Sequence, residues 1–337
     1  MTKVSVLFPV YNTKEEHLRA AMDSILNQTF KDFEFLIAND ASTDKNVEKV
    51  IKSYADSRIR YIVHKRNLGI SETRNKLIDL AAGEYLAVMD HDDISLPERF
   101  EKQVAFMDAN PRVGICGTAY KRFGKRFKSN IVRPPAYHAQ IKAMLFFKCP
   151  ILHPSAMIRA AVVKKNNIRY DGAYISVNDR KLYADIAGAA ELRNLPDVLF
   201  LYRLHNQMVS QTKRDSIKAE QKRIRHYFCQ MAGASLPDDE LDLLNDYFLN
   251  GRKIKSAEVL SRVEKIVSAV MVANEKSQYF PVEDFNRLCG EWFLKRCYKA
   301  AVLGGVSSKK ILRETRLPVR GIPRPFLLRV LNFWRLQ

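Results

Sequence analysis

The sequence predicts an open α/β sheet of the doubly wound kind, followed by a helical extension. Three observations carry this expectation. Over the first ninety residues, short apolar runs of strand length alternate with segments of helical hydrophobic spacing. The connections between them are short, as in successive βα units. Beyond about Gln211 the strand signal fades and helical periodicity dominates. A boundary is therefore expected near residue 212, with residues 1–212 as an α/β domain and 213–337 as a helical, basic extension.

The elements follow in order. Val4 to Val10 (VSVLFPV) is a nearly continuous apolar run, as expected for a strand buried on both faces of a parallel sheet. Thr13 with Glu16 three residues later forms a capping-box pattern, and Leu18, Met22, Ile25 and Leu26 follow at helical spacing. The unit then repeats, with strands expected at 33–38, 59–63 and 85–89 and helices at 46–54 and 71–82. A helix at 97–109, a strand at 113–117 and a basic loop at 121–128 come next, and 198–205 (VLFLYRLH) reads as a last strand. The extension carries helical runs at 217–231, 257–272 and 282–303.

Composition narrows the class. With 337 residues, 47% hydrophobic and 28% charged, the chain can bury a full core, and its length suggests about two folding units. Lys and Arg number 56 against 37 Asp and Glu, a formal charge of +19 that calls for an acidic partner: nucleic acid, anionic lipid or a phosphorylated small molecule. No run approaches the roughly 18 apolar residues of a membrane span, and MTKVSVLFPVYN enters a strand pattern directly, without a cleavable leader. Five dispersed cysteines with no CxxC pair argue against a disulfide framework or a zinc site, so a reducing cytoplasm is the expected location.

In open α/β sheets ligands bind outside the carboxyl ends of the strands. This sequence places polar clusters there: Tyr11-Asn12, Asn39-Asp40, Lys65-Arg66-Asn67 and Asp90-His91-Asp92-Asp93. At a strand end, Asp90 and Asp92 would point to one side. Two such carboxylates resist ionising together without a cation, and oxygen donors suit Mg²⁺ or Mn²⁺. A solvated acidic turn before the helix at Pro97 would use the same residues.

With VSVLFPVYN at the start, NDASTD at 39–44, NLGISETRN at 67–75 and GEYLAVMDHDD at 83–93, the chain resembles the family-2 inverting glycosyltransferases of the GT-A fold, of the type that builds bacterial surface polysaccharide and lipopolysaccharide. The resemblance covers about the first 210 residues. It implies a GT-A catalytic domain binding a nucleotide sugar, expected to be UDP-linked, and a metal. Pro9, Val10 and Tyr11 would line the base and ribose pocket, and Asp40 would accept a hydrogen bond from the uracil imide. Asn67, Gly69 and Arg74 match the N-x-G and R-N segment, whose arginine approaches the nucleotide. Asp90 and Asp92 match the D-x-D motif, with Asp90 also on the nucleotide and both holding Mn²⁺ or Mg²⁺ on the diphosphate. In YISVNDRKLYADIA, Asn178-Asp179 stands where the family has an E-D pair, so Asp179 takes the place of the general base although its neighbour is an amide. Asp179 could instead cap its helix, and Asp171 and Asp185 are the other candidate bases. LYRLHNQMVS resembles the family's Y-R-x-H ending, which makes His205 a candidate third metal ligand. CPILHPSAMIR resembles the wall between donor and acceptor, which leaves His153 without a chemical role beyond acceptor contact.

The charge is uneven. From Trp292 to the end, basic residues outnumber acidic ones by ten. As a helix after Pro325, the terminus would gather Phe326, Leu327, Val330, Leu331 and Trp334 on one face and Arg324, Arg329 and Arg335 on the other, which suits an anionic membrane surface. A helix packed on the protein with its arginines in water would read the same. The expected activity is transfer of a hexose from the nucleotide sugar to a hydroxyl of a glycan or lipid-linked acceptor, by an enzyme peripheral on the inner face of the membrane. Nucleic acid is not expected as a partner, because no binding motif accompanies the charge. Two rival readings remain. A sugar-phosphate nucleotidyltransferase would need a Gly-rich loop where this chain has PVYNTKEEH, and an inactive membrane or nucleic-acid adaptor is kept open by Asn178.

Overall fold

The structure, a computed structural model, describes residues 2–124, 130–204 and 214–304. His205, part of the basic loop and the amphipathic terminus lie outside the described residues.

The strands β1 (Val4–Val10), β2 (Phe33–Asn39), β3 (Ile59–Val63) and β4 (Tyr85–Val88) run parallel in the spatial order β3-β2-β1-β4. Every residue of β1 and β4 is buried, which accounts for their unbroken apolar runs; β3, at the edge, is only partly covered. Between the strands lie α1 (Glu15–Leu26), α2 (Lys45–Lys52) and α3 (Ile70–Leu80). The first helix buries Leu18, Ala21, Met22 and Ile25 against Phe8, Phe35 and Phe100 of the core.

The other half of the sheet is mixed. A two-residue strand β5 (Ile94–Ser95) and α4 (Arg99–Ala109) precede β6 (Val113–Phe123), with β7 (Asn130–Val132) paired to its end. Then come α5 (His138–Met144), β8 (Met157–Arg159), α6 (Ala160–Lys165), α7 (Asn178–Ala189) and β9 (Glu191–Arg203). The three-residue β8 lies antiparallel between β4 and β6, so the sheet is not wholly parallel. β9 is longer than the expected strand at 198–205. It pairs with β6 from Glu191, and the register skips Pro196-Asp197, passing from Thr118↔Leu195 to Ala119↔Val198. Proline cannot donate to the ladder, so the strand bulges there and continues.

By contacts the described chain divides into two units. The first is Met1–Ile141 with Cys149–Ile217, and the second is Lys142–Lys148 with the residues from Lys218 on. The second holds α8 (Arg214–Met231, from Lys218), α9 (Asp238–Leu243), a π-helical turn at Leu244–Leu249, α10 (Ala257–Ser277) and α11 (Val282–Gly304). Its core is aromatic: Phe280 and Phe285 stack at 4.7 Å, and Phe146 and Phe147 of the segment Lys142–Lys148 lie against Phe285 at 5.2 and 6.3 Å. Arg296 donates from Nε to the carbonyl of Phe248 at 2.7 Å, satisfying an orphaned helix-end acceptor. Among the described residues no helix is long and apolar enough to cross a membrane.

Candidate active site

The strand order reverses between β1 and β4, since the chain builds β1, β2 and β3 to one side and then starts β4 on the other. Such a switch point opens a crevice at the carboxyl ends of the strands. Here the opening has a local cause. β1 and β4 remain paired through Leu7↔Val88, with Met89 N donating to the Leu7 carbonyl. Two residues on, Pro9 has no N–H to offer the same side. Pro9 and Val10 are buried in β1, and Tyr11, just past its end, is 44% exposed at the mouth.

The loops at the mouth are tied to each other. Asn12, at φ +47°, accepts through Oδ1 from the amides of Thr43 and Asp44 at 2.9 and 3.2 Å. Asp44 caps α2 by accepting from Asn46 N at 2.9 Å. Asp40 is 4% exposed, and its carboxylate is engaged within the protein. Oδ1 accepts from Leu68 N at 2.8 Å and faces His64 Nδ1 at 2.9 Å, while Oδ2 accepts from Gly69 N at 2.9 Å. Asn67 reinforces this, donating from Nδ2 to the Asp40 carbonyl at 3.2 Å. Gly69 adopts φ +82°, where a side chain would be strained, and it leads into α3.

α3 carries Arg74 inward. Arg74 is 6% exposed; its guanidinium donates from Nη2 to Asp90 Oδ1 at 2.7 Å and lies 5.4 Å from the Tyr170 ring centroid. Burial opposes its charge, but the carboxylates of Asp90 and, further off, Asp179 help to outweigh burial and raise its pKa. β4 stops at Val88, so Asp90 to Asp92 lie in the turn beyond it and not on the strand end the sequence implied. Asp93 is 2% exposed and accepts from Arg203 N on β9 at 2.7 Å. Burial, with the charges of Asp92 and Asp90 beside it, pushes its carboxyl well above the ordinary range. The capping box expected at Thr13 does not form: α1 has no side-chain cap, and the Thr13 hydroxyl bonds His91 Nδ1 at 2.8 Å.

α7 opens with Asn178 and Asp179. The N-cap is Val177, so Asp179 lies in the first turn and does not cap the helix. Asn178 donates from Nδ2 to Ser71 Oγ at 3.0 Å, tying α7 to the start of α3. Burial raises the Asp179 carboxyl above its ordinary value; the amide of Arg180, the Cys149 thiol and the Arg74 charge pull the other way without cancelling it. Asp179 Oδ1 accepts from Arg180 N at 2.7 Å; of the other candidate bases, Asp171 accepts from Ala173 N at 2.8 Å, and Asp185 holds Lys181 at 2.7 Å.

Residues 5–166 match the sequence profile described as Glycosyl transferase family 2. The chain is 34% identical over 218 residues to an uncharacterised glycosyltransferase of Methanocaldococcus jannaschii, spanning 60% of this chain and 71% of the relative. The chain belongs to glycosyl transferase family 2. This glycosyltransferase is also 30% identical over 215 residues to the amylovoran biosynthesis glycosyltransferase AmsE of Erwinia amylovora, across 62% of this chain and 79% of that one. Its fold is similar to that of S. aureus TarS 1–349, solved in complex with UDP-GlcNAc, with a TM-score of 0.60 at 17% identity over 95% of each chain. The fold is therefore GT-A-like, an open mixed sheet followed by a helical region.

In this family-2 glycosyltransferase Arg74 joins three of the motifs: it pairs with Asp90, lies against Tyr170 and is within electrostatic reach of Asp179, while Asp40 ties the loop that leads into the same helix. Sequence reasoning missed Asn75, Tyr170 and Tyr183. Asn75 clasps the backbone of Tyr170, donating to its carbonyl and accepting from its amide, both at 2.9 Å. The one available signal was Asn75 itself, the second residue of the R-N pair. The two tyrosines read as ordinary aromatic positions.

Proposed function

We propose that this protein is an inverting, divalent-metal-dependent glycosyltransferase. It moves a hexose from a UDP-linked sugar to a hydroxyl of a glycan or lipid-linked acceptor in surface-polysaccharide synthesis. The observation that carries the reading is the placement of a half-buried carboxyl whose pKa is raised, Asp179, within the field of the guanidinium that binds Asp90. An inverting transfer needs a base opposite the departing diphosphate, and a base gains strength as its pKa rises toward the working pH. The TarS complex with UDP-GlcNAc and the role of AmsE in amylovoran synthesis support the donor class and the pathway type.

The donor set fits Mn²⁺ or Mg²⁺. Asp90, Asp92 and Asp93 crowd negative charge into one turn, which adds to burial in lifting Asp93, and hard oxygen donors suit these ions. Among the described residues no group of three or more His, Cys, Asp or Glu could hold a metal. An ion held by Asp92 and Asp90 would therefore complete its shell from diphosphate and water, as Mg²⁺ commonly does. When bound, it neutralises charge developing on the leaving diphosphate. The protein's own groups do the rest. Arg74 orients Asp90, Tyr11 offers a flat face to the base, Asp40 holds the Leu68-Gly69 loop beside it, and Asp179 takes the acceptor proton. His205 is the candidate third ligand. The basic terminus would hold the enzyme on the cytoplasmic face of an anionic membrane, near a lipid-linked acceptor.

The test is UDP release from a panel of UDP-sugars with Mn²⁺, alongside UDP binding by the Asp92→Ala variant. Slow hydrolysis of one donor and loss of the metal-dependent part of UDP binding are expected. Equal UDP affinity with and without metal in the wild type would refute the metal assignment.

A further inference from the structure

His153 begins a short 3-10 turn at His153–Ser155 and is 7% exposed. Both ring nitrogens have partners. Nδ1 lies 2.6 Å from the Tyr183 hydroxyl, and Nε2 lies 3.1 Å from the Tyr170 hydroxyl. The Tyr170 ring stands edge-on to the imidazole at 5.5 Å, and the Tyr183 ring is tilted at 5.8 Å. The two tyrosines belong to different segments of the chain. Tyr170 lies against the Arg74 guanidinium and has its backbone clasped by Asn75, so it is part of the donor side. Tyr183 is on α7, one turn beyond Asp179.

Resting on the reading of Asp179 as base and Arg74 as a donor-side group, we propose that His153 is a positioning residue: it locks the base-bearing helix to the donor-binding wall through Tyr183 and Tyr170. The physical reason lies in the proton count. A neutral imidazole has one N–H and one lone pair, so one tyrosine must donate to the ring while the other accepts from it. The two hydroxyls cannot set their directions independently. Burial, with Arg74 nearby, drives the imidazole well toward its neutral form, and burial also keeps both phenols protonated. The bridge therefore keeps one donor and one acceptor face. Displacing α7 by about 1 Å would misplace the Asp179 carboxyl, and a misplacement of that size can cost about a hundredfold in rate.

The test uses the full chain and has two arms. In the first, UDP with Mn²⁺ is titrated into protein carrying ¹⁵N-labelled histidine. The His153 ring signals are expected to move in the wild type and to stay put in Tyr170→Phe. In the second, Tyr170→Phe, Tyr183→Phe and the double variant are compared in the transfer reaction. Each single variant should lose about tenfold to a hundredfold in kcat, with a much smaller change in KM for the nucleotide sugar. The double variant should lose no more than the worse single one, because either change opens the same bridge. His153→Phe should match it, and His153→Gln, which keeps a donor and an acceptor, should recover part of the rate. Losses that multiply, or equal kcat for the Gln and Phe variants, would overturn the proposal, as would a silent His153 signal in protein that binds UDP. If His153→Phe does not fold, the tyrosine comparison decides alone. Failure to bind UDP at all would instead refute the proposed UDP-sugar donor, and the first arm of this test with it.

Discussion

The Thr13 hydroxyl and His91 Nδ1 lie 2.8 Å apart, joining the loop that leaves β1 to the middle of the acidic triplet. The switch-point crevice is thereby pinned from both strands. Asp90 and Asp92 flank the tethered residue, so their placement depends on a hydroxyl seventy-eight positions away. Thr13→Val keeps the shape and removes the bond. Isothermal titration should show weaker metal-dependent UDP binding, with a stability loss of about 1 kcal/mol, the usual size for one hydrogen bond. Wild-type UDP affinity would show that the tether does not organise the triplet.

Asp179→Asn should reduce transfer by at least about 10²-fold, the lower bound for losing general-base catalysis, with UDP affinity nearly unchanged. The same assignment makes a pH prediction. Because burial raises the Asp179 carboxyl, the acid limb of kcat/KM should fall above the ordinary carboxylate value of about 4. The sign for stability follows. A carboxyl raised in the fold favours the protonated state, so its contribution is full below the unfolded value and is lost as pH rises through the folded one. Asp179→Asn should therefore flatten that decline in a thermal melt series across pH.

Asn178→Asp tests the neighbour. The Ser71 hydroxyl can donate to the new carboxylate, so the tie between α7 and α3 survives. A second negative charge beside Asp179 should move the acid limb to higher pH. An unmoved limb, with activity retained, would assign the limb to a different group.

Arg74→Met removes one partner of an ion pair in which Arg74 is 7% and Asp90 31% exposed. Breaking a fully buried pair costs roughly 3–5 kcal/mol, and the exposure of Asp90 places this case below that range. Denaturant melts should show the loss, and Asp90→Asn in the same chain should recover part of it. No recovery would mean that the cost lies in packing against Tyr170.

What the sequence made legible follows from range. β1 and β4 were readable because burial on both faces leaves an unbroken apolar run. Tyr11, Asp40 and Asp90 became candidates because strand ends in such a sheet must gather at one edge, whereas Arg74, on α3, came from the family resemblance. β8 escaped notice because three residues carry no periodicity, and the first half of β9 because Pro196 reads as a stop where the sheet uses a bulge. Thr13 was misread as a cap because its partner, His91, is local only in the fold. The same holds for Tyr170 and Tyr183, whose roles come from one imidazole between them.

The segment Lys142–Lys148 groups with the helical unit although it lies, in the chain, between two stretches of the α/β unit. A gene truncated after residue 217 would therefore encode the rings of Phe146 and Phe147 without Phe280, Phe285 and Trp292, against which they pack. During synthesis, too, these two phenyl groups emerge well before their partners do. Until the last helices leave the ribosome they lack the rings that pack against them in the fold, and apolar groups left uncovered in this way favour aggregation.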